Sequence, residues 1–294
     1  MVIANQQLGS VLNGTFTENV EKAIHALNIR FEAAAADGLT GTNFYTLTNN
    51  ARITVQYTSK RSSNERIYNN VLIGDILEFS TLEGAAAVAA VNGSNQCTDF
   101  SFTIPIAVAG ALNMENDDTL EITITGLLTA ATFKLTIYGQ EDIIADNKVM
   151  RWSSLSVGSS SNSNEKNFDM RGYSHIVLPV NAALTDIQLR GTNGKNITLT
   201  AGELRILAMK INEVALIKTG TVGTLSGGVN AYCLPVSLVE ELVVTTNGTA
   251  YGFYAVAPFP VNPESGVVEK NAAIADTTTA SVKQLNYQVE KAAA

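Results

Sequence analysis

Hydrophobic and polar positions change rhythm along this chain. In the opening segment apolar residues recur at intervals of three and four: Phe16, Val20, Ala23, Ile24, Leu27, Phe31 and Ala34. Thr15 stands where a cap is needed, Glu18 follows three residues later, and Asp37-Gly38 supplies a stop. That spacing predicts an amphipathic helix over Thr15 to Ala36. Its polar side carries Glu18, Glu21, Lys22, Arg30 and Glu32, which is not the basic face that anionic lipid attracts. The expectation is packing on the protein's own sheet or on a neighbouring subunit.

From Asn43 the period moves toward two. Ala51-Arg-Ile-Thr-Val-Gln-Tyr57, Leu120-Glu-Ile-Thr-Ile124 and Phe133-Lys-Leu-Thr-Ile-Tyr138 alternate, which predicts half-buried strands. Ile67 to Phe79, Asp99 to Ala107 and Val149 to Leu155 are further strand candidates. In the second half strands are expected at Tyr173–Val180, Thr185–Leu189, Asn196–Leu199, Glu203–Ile211, Val214–Lys218, Asn230–Leu234, Glu241–Thr245 and Gly252–Ala257. Gly84 to Val91 reads as a short helix or a small-residue loop.

One phrase occurs twice. His175-Ile-Val-Leu-Pro-Val-Asn-Ala-Ala-Leu-Thr-Asp-Ile-Gln-Leu189 is echoed by Ala231-Tyr-Cys-Leu-Pro-Val-Ser-Leu-Val-Glu-Glu-Leu-Val-Val244, and Thr-Asn-Gly follows each copy. A looser cousin, Phe102-Thr-Ile-Pro-Ile106, leads into Leu120–Ile124. Repeated apolar runs joined by turns signal repeated strands. Pro105, Pro179 and Pro235 cannot donate to a ladder, so they should mark strand ends, bulges or edges. Many short strands imply a sandwich or barrel rather than alternating strand–helix units.

Val157-Gly-Ser-Ser-Ser-Asn-Ser-Asn-Glu-Lys166 is the sharpest break in composition and reads as a flexible link or exposed loop. It divides the 294 residues into halves each long enough for an eight-stranded jelly roll. The expected organisation is an arm and amphipathic helix over 1–40, a first jelly roll over 41–156, a link over 157–167, a second jelly roll over 168–260 and an irregular C-terminal arm over 261–294. In that arm Val282, Leu285 and Val289 are spaced for a helix.

Charge narrows the partners. Met1–Met150 holds 8 Lys/Arg against 16 Asp/Glu, net -8, and Arg151–Ala294 holds 11 against 11, net 0. An acidic first half is a poor match for nucleic acid, and only Lys60-Arg61 with Arg66 forms a dense basic group. Charged residues are only 16% of the chain, so Thr, Asn, Ser and Gly must supply much of the polar surface. Such a surface costs less to desolvate between subunits than a Lys/Glu-rich one. No secretory signal pattern and no apolar run long enough to span a membrane is visible.

Candidate chemistry is sparse. His25 and His175 are the only histidines, too few for an ordinary three-ligand zinc site, and neither has a base-forming motif around it. Cys97 and Cys233 are the only cysteines, compatible with one bridge or none. Nucleophile-elbow and phosphate-loop motifs are absent. Glu115, Asp117 and Asp118 could offer hard oxygen ligands to calcium, and a charged turn explains them equally. Glu240-Glu241 point to opposite faces if they lie in a strand. Tyr251, Phe253 and Tyr254 fit either an aromatic sugar-binding platform or core packing. No catalytic residue and no cofactor site is assigned.

The strand phrases Ile176-Val-Leu-Pro-Val180 through Leu189, with Leu204-Arg-Ile-Leu-Ala208, resemble the double jelly-roll major capsid proteins of tailless, membrane-containing icosahedral bacteriophages, of the corticovirus-like or finnlakevirus-like sort. The resemblance implies a mainly β fold of two tandem eight-stranded jelly rolls, with a short N-terminal helix and an irregular tail. It implies a virion coat protein, not an enzyme, made in the host cytoplasm. Three copies would form a pseudo-hexagonal capsomer, and capsomers an icosahedral shell, with minor capsid or membrane proteins as further partners. The terminal elements are then the expected assembly contacts, through Phe16, Val20, Ile24, Leu27, Phe31, Val282, Leu285 and Val289. The alternative from another class is a glycan-binding or adhesion sandwich of a phage tail or cell surface.

Overall fold

The computed structural model describes residues 2–7, 14–21, 23–34, 51–59, 65–80, 87–91, 97–112, 114, 118–127, 134–142, 145–146, 148–159, 164–211 and 231–260. Within these the chain is almost entirely antiparallel sheet. The first half supplies β1 (Val2–Gln7), β2 (Gly14–Val20), β3 (Ala26–Glu32), β4 (Arg52–Thr58), β5 (Glu65–Leu72), helix α1 (Ile73–Ser80), β6 (Ala87–Val91), β7 (Cys97–Pro105), the two-residue β8 (Ala111–Leu112), β9 (Thr119–Leu127) and β10 (Lys134–Gln140). The short β11 (Ala145–Asp146) lies in the crossing to the second half. There follow β12 (Lys148–Val157), β13 (Glu165–Asp169), β14 (His175–Pro179), β15 (Leu184–Gly191), β16 (Asn196–Thr200), helix α2 (Ala201–Ile211), β17 (Ala231–Pro235), β18 (Val239–Thr246) and β19 (Tyr251–Pro260).

Strand order identifies the architecture. The first half has sheets β1-β10-β3-β7-β6 and β2-β9-β4-β5; the second has β12-β19-β14-β17 and β13-β18-β15-β16. With β6 set aside as an extra edge strand, and the two-residue β8 as part of a separate pair with β11, each half places its first, eighth, third and sixth strands in one sheet and its second, seventh, fourth and fifth in the other. That is the jelly-roll wrapping, made twice. Each half also places a helix directly after its fifth strand.

The repeated phrase has a structural meaning. Its first copy is β14 and β15, its second is β17 and β18, and the copies lie antiparallel on one another, with Val177 opposite Cys233 and Ile187 opposite Val244. The second sandwich therefore has a local two-fold that the sequence carries. The cousin in the first half, β7 leading to β9, stands at the station of β17 and β18. Thr-Asn-Gly forms the turn after each copy, with Gly194 and Gly248 at φ 73° and 94°, where a side chain would be strained. Pro105, Pro179 and Pro235 are each the last residue of a strand, as a missing donor requires.

Several expectations are corrected. The N-terminal helix is two strands, β2 and β3, with a corner between them. The helical spacing passes over Ile29, yet Leu27, Ile29 and Phe31 alternate inward on β3 and all three are buried. β3 is paired along its length by β10 and β7, so a two-sided ladder overrides a local helical pattern. The first jelly roll consequently begins at β1 rather than at residue 41. Val157–Lys166 connects β12 to β13 inside the second sandwich, and the crossing between sandwiches runs from Gln140 to Lys148. Glu203–Ile211, read as a strand, is helix α2, and Ile67–Phe79 is the end of β5 followed by α1. Ala87–Val91, read as helix or loop, is a strand. Val214–Lys218 and the C-terminal arm lie outside the described residues.

Candidate functional site

Catalytic chemistry does not converge anywhere among the described residues. His25 sits at the corner before β3, where its backbone carbonyl accepts from Ile106 and Ala107 and its amide donates to Gln140. Nδ1 lies 2.8 Å from the Gly110 carbonyl oxygen, so that nitrogen carries the proton. His25 is a structural knot. His175 is the first residue of β14, mostly buried, with Nδ1 3.1 Å from Ser174 Oγ, and burial holds its pKa below the usual histidine value. Asp118 is buried and accepts a 2.5 Å hydrogen bond from Tyr57 Oη; Glu115 and Asp117 lie outside the described residues. Among the described residues no three His, Cys, Asp or Glu side chains group as a metal site would require. Glu241 is committed to Arg190 at 2.6 Å and to Asn167 at 2.7 Å. Arg66 bonds Asn69 at 3.0 Å, while Lys60 and Arg61 fall outside the described residues. Cys233 is wholly buried on β17.

The aromatic platform is also absent as such. Tyr251 and Phe253 belong to the core of the second sandwich, and Tyr254 is buried on the opposite side of β19. Tyr251 Oη donates to the Pro179 carbonyl at 2.8 Å. Burial first, and Asp75 second, raises the pKa of both tyrosines.

What the structure does build is a contact between the two sandwiches. β14 sends Ile176 and Leu178 to its own core and Val177 to the opposite face. β17 does likewise with Tyr232 and Leu234 against Ala231 and Cys233, and β19 with Tyr251, Phe253 and Ala255 against Tyr254 and Val256. The sheet β12-β19-β14-β17 is therefore apolar on both faces, which accounts for the near-continuous hydrophobic text of its strands. Its outer face joins the core of the first sandwich.

Trp152 is the centre of that seam. Its ring lies 5.7 Å from Tyr68 of β5, 5.4 Å from Phe79 of α1 and 5.6 Å from Tyr254. Phe79 also meets the His175 ring edge-on at 5.3 Å. Arg151 Nη1 reaches Glu65 Oε1 on β5 at 3.0 Å while its guanidinium covers the Phe259 ring. The main chain stitches the same seam: Met150 N donates to Ile106 O, Val108 N to Lys148 O, and β11 pairs in parallel with β8. Buried apolar side chains, ring contacts and backbone bonds join the two sandwiches along this seam.

Of the expected assembly residues, Val20, Ile24, Leu27 and Phe31 are in the core of the first sandwich and have no surface to offer a neighbour. Phe16 stands opposite Ile124 on β9; Val282, Leu285 and Val289 lie outside the described residues. Sequence reasoning missed α1 and α2. The signal for α2 was Thr200-Ala-Gly-Glu203: Thr200 N donates to Glu203 Oε2 at 2.8 Å and Glu203 N to Thr200 Oγ1 at 3.3 Å, a capping box. The Thr200 amide first, and the Thr200 hydroxyl second, donate to the Glu203 carboxylate and hold it below the usual range.

No family model matches this chain, and no curated protein sequence matches it. Among solved structures it is similar to the major capsid protein P2 from bacteriophage PM2, at 10% identity and a TM-score of 0.47, over 87% of this chain and 96% of that one. It is also similar to the capsid of the virus PBCV-1, at 10% identity and a TM-score of 0.44, over 87% and 92% of the two chains. A PBCV-1 VP54 structure follows at 9% identity and a TM-score of 0.39, over 87% and 93%.

Proposed function

We propose that this chain is a virion coat protein whose unit is the locked pair of jelly rolls, and that copies of it associate, as trimers, into a shell. The observation that carries the reading is the seam: a complete jelly roll buries the outer sheet face of a second one, through Trp152, Phe79, Tyr68 and Tyr254. Jelly rolls serve mainly as coat domains, lectins and metal-binding cupins. The cupin role needs clustered ligands, and the described residues hold none. The lectin role proposed from Tyr251 to Tyr254 needs rings that ligand can reach, and these are buried. A coat role asks for extensive, weakly charged contacts, and charged residues are only 16% of this chain. Fold alone does not decide function, so the reading is tested on the product.

The purified full chain is measured by light scattering over a range of concentrations, with and without residues 261–294, and the largest species is imaged. The expected outcome is a trimer that passes to closed or sheet-like assemblies, altered when the arm is removed. A strict monomer at every concentration overturns the coat reading.

A further inference from the structure

The Thr-Asn-Gly that closes each copy of the repeated phrase is the same text in two different settings. Asparagine precedes glycine at Asn13, Asn92, Asn193 and Asn247; the first two lie outside the described residues. Such a pair is open to intramolecular attack, because a glycine amide has no side chain to shield it. The turns at Asn193 and Asn247 share much. Each asparagine is exposed, and its Oδ1 accepts from the amide two residues on, Lys195 at 3.0 Å and Thr249 at 3.1 Å. They differ in what holds the rest of the residue. Asn247 Nδ2 donates to Ala182 O at 3.1 Å and its backbone amide to Ala183 O at 2.9 Å, so the turn between β14 and β15 clamps it. Asn193 Nδ2 has no partner among the described residues, and residues 192–198 are exposed throughout.

We propose that Asn193 is a site of spontaneous amide-to-acid modification, and that the fold leaves it open while protecting its twin Asn247. Hydroxide removes the Gly194 amide proton, and that nitrogen attacks Asn193 Cγ. The new N–Cγ bond closes a cyclic imide as the Cγ–Nδ2 bond breaks, and Nδ2 leaves as ammonia with protons taken from water. A water molecule then opens the imide at either carbonyl, giving an ordinary aspartate or an isoaspartyl linkage. The reaction needs only water. Its leaving nitrogen is where the two sites differ. Asn247 must first give up the Ala182 hydrogen bond and loosen a backbone pinned to Ala183; Asn193 starts free of both. The opposing difference is smaller, since both nucleophiles are held: Gly194 N donates to Gly191 O at 3.1 Å and Gly248 N to Thr246 Oγ1 at 3.3 Å. One net hydrogen bond corresponds to a factor of about three to ten in rate.

The two products fare differently in this turn. An aspartate at 193 keeps an oxygen for the Lys195 amide, so the turn survives with one added negative charge beside Lys195. An isoaspartyl linkage instead routes the main chain through the former side-chain carbonyl and lengthens the hairpin closed by Gly191 N and Lys195 O, which are 2.8 Å apart. A two-strand turn has a fixed length, so that linkage loosens the junction of β15 and β16. Chains that start identical thus diverge with age at one end of the second sandwich.

The full chain is aged in mildly alkaline buffer, both folded and in concentrated urea. Peptides spanning the two turns are then followed by mass spectrometry, with aspartyl and isoaspartyl forms separated by chromatography. In the folded chain Asn193 should convert about three- to tenfold faster than Asn247. In urea the two rates should come together, because the contacts with Ala182 and Ala183 are gone. An Asn193→Asp protein should melt with wild type, and the isoaspartyl fraction of the aged protein below it. Equal rates in the folded chain, or a faster Asn247, overturn the inference. So does a ratio that persists unchanged in urea, which would trace it to Lys195 and Thr249 as sequence neighbours. A folded chain in which neither site converts, while both convert in urea, overturns it as well. An Asn193→Asp protein that melts well below wild type overturns the account of the products.

Discussion

The same four-stranded sheet is built twice in this molecule and faces two different surroundings. In the first sandwich β3 alternates, with Leu27, Ile29 and Phe31 inside and Asn28, Arg30 and Glu32 outside. In the second, β14 and β17 are apolar on both sides, because the first sandwich lies over their outer face. Topology is shared; only the neighbour differs. Hydrophobic pattern therefore reports what covers a strand rather than what fold it belongs to. The seam buries Tyr68 and Phe79 of the first sandwich as well as Trp152 and Tyr254 of the second, so each is held by its own core and by the other, through different faces.

The largest effect that would break this asymmetry is at Trp152. Trp152→Ala removes the ring shared by Tyr68, Phe79 and Tyr254 and should cost about 3–5 kcal/mol, read as a lowered urea midpoint. Trp152→Phe should cost much less. The indole Nε1 is buried without a hydrogen-bond partner, so the substitution also removes an unsatisfied donor. Equal losses for Ala and Phe would mean that the ring's packing is not what holds the seam.

The equivalent positions on the two helices sharpen the comparison next. Phe79→Ala should cost about 3 kcal/mol or more, and Leu207→Ala about 1–2 kcal/mol, because Leu207 is only partly buried in the isolated chain. Equal costs would show that α2 is already covered.

This contrast also shows how far the sequence could be read. Strands with one solvated face, such as Ala51–Tyr57 and Leu120–Ile124, stand out by their alternation, and the repeated phrase located β14–β15 and β17–β18 before any geometry was known. The failures have physical causes. β3 is paired on both sides, so long-range ladders decide it, and no window of thirty residues contains β10 or β7. Leu204-Arg-Ile-Leu-Ala208 is a β-like string that a capping box four residues earlier turns into a helix. The seam was the least legible part, since Trp152, Phe79 and Tyr254 lie far apart in sequence and each passes for ordinary core. The Gly-acid-aliphatic repeat of α1 and α2 was present in the text, but it becomes informative only once both segments are helices at one station.

A smaller effect separates the interiors. The first sandwich buries a polar pair, Tyr57 with Asp118. Tyr57→Phe removes one donor to a buried carboxylate, and the expected loss is about 1–3 kcal/mol. A neutral substitution would show that Asp118 does not depend on that hydroxyl.

The smallest effect concerns His175, which lies on the second sandwich and meets Phe79 of the first. Burial lowers its pKa in the folded chain, so the fold favours the neutral ring. Well above the ordinary histidine pKa of about 6.5 the ring is neutral in both states and contributes no pH dependence. As pH falls below that value the unfolded chain takes up a proton that the folded chain resists, and stability declines until the folded pKa is passed. The slope from one such group cannot exceed about 1.4 kcal/mol per pH unit. Urea midpoints for wild type and His175→Gln are compared between pH 7.5 and 5.5, above the range where most carboxylates titrate. The wild type should lose stability toward pH 5.5 more steeply than the variant. Parallel curves would detach His175, and the seam it lies in, from the acid sensitivity in that range.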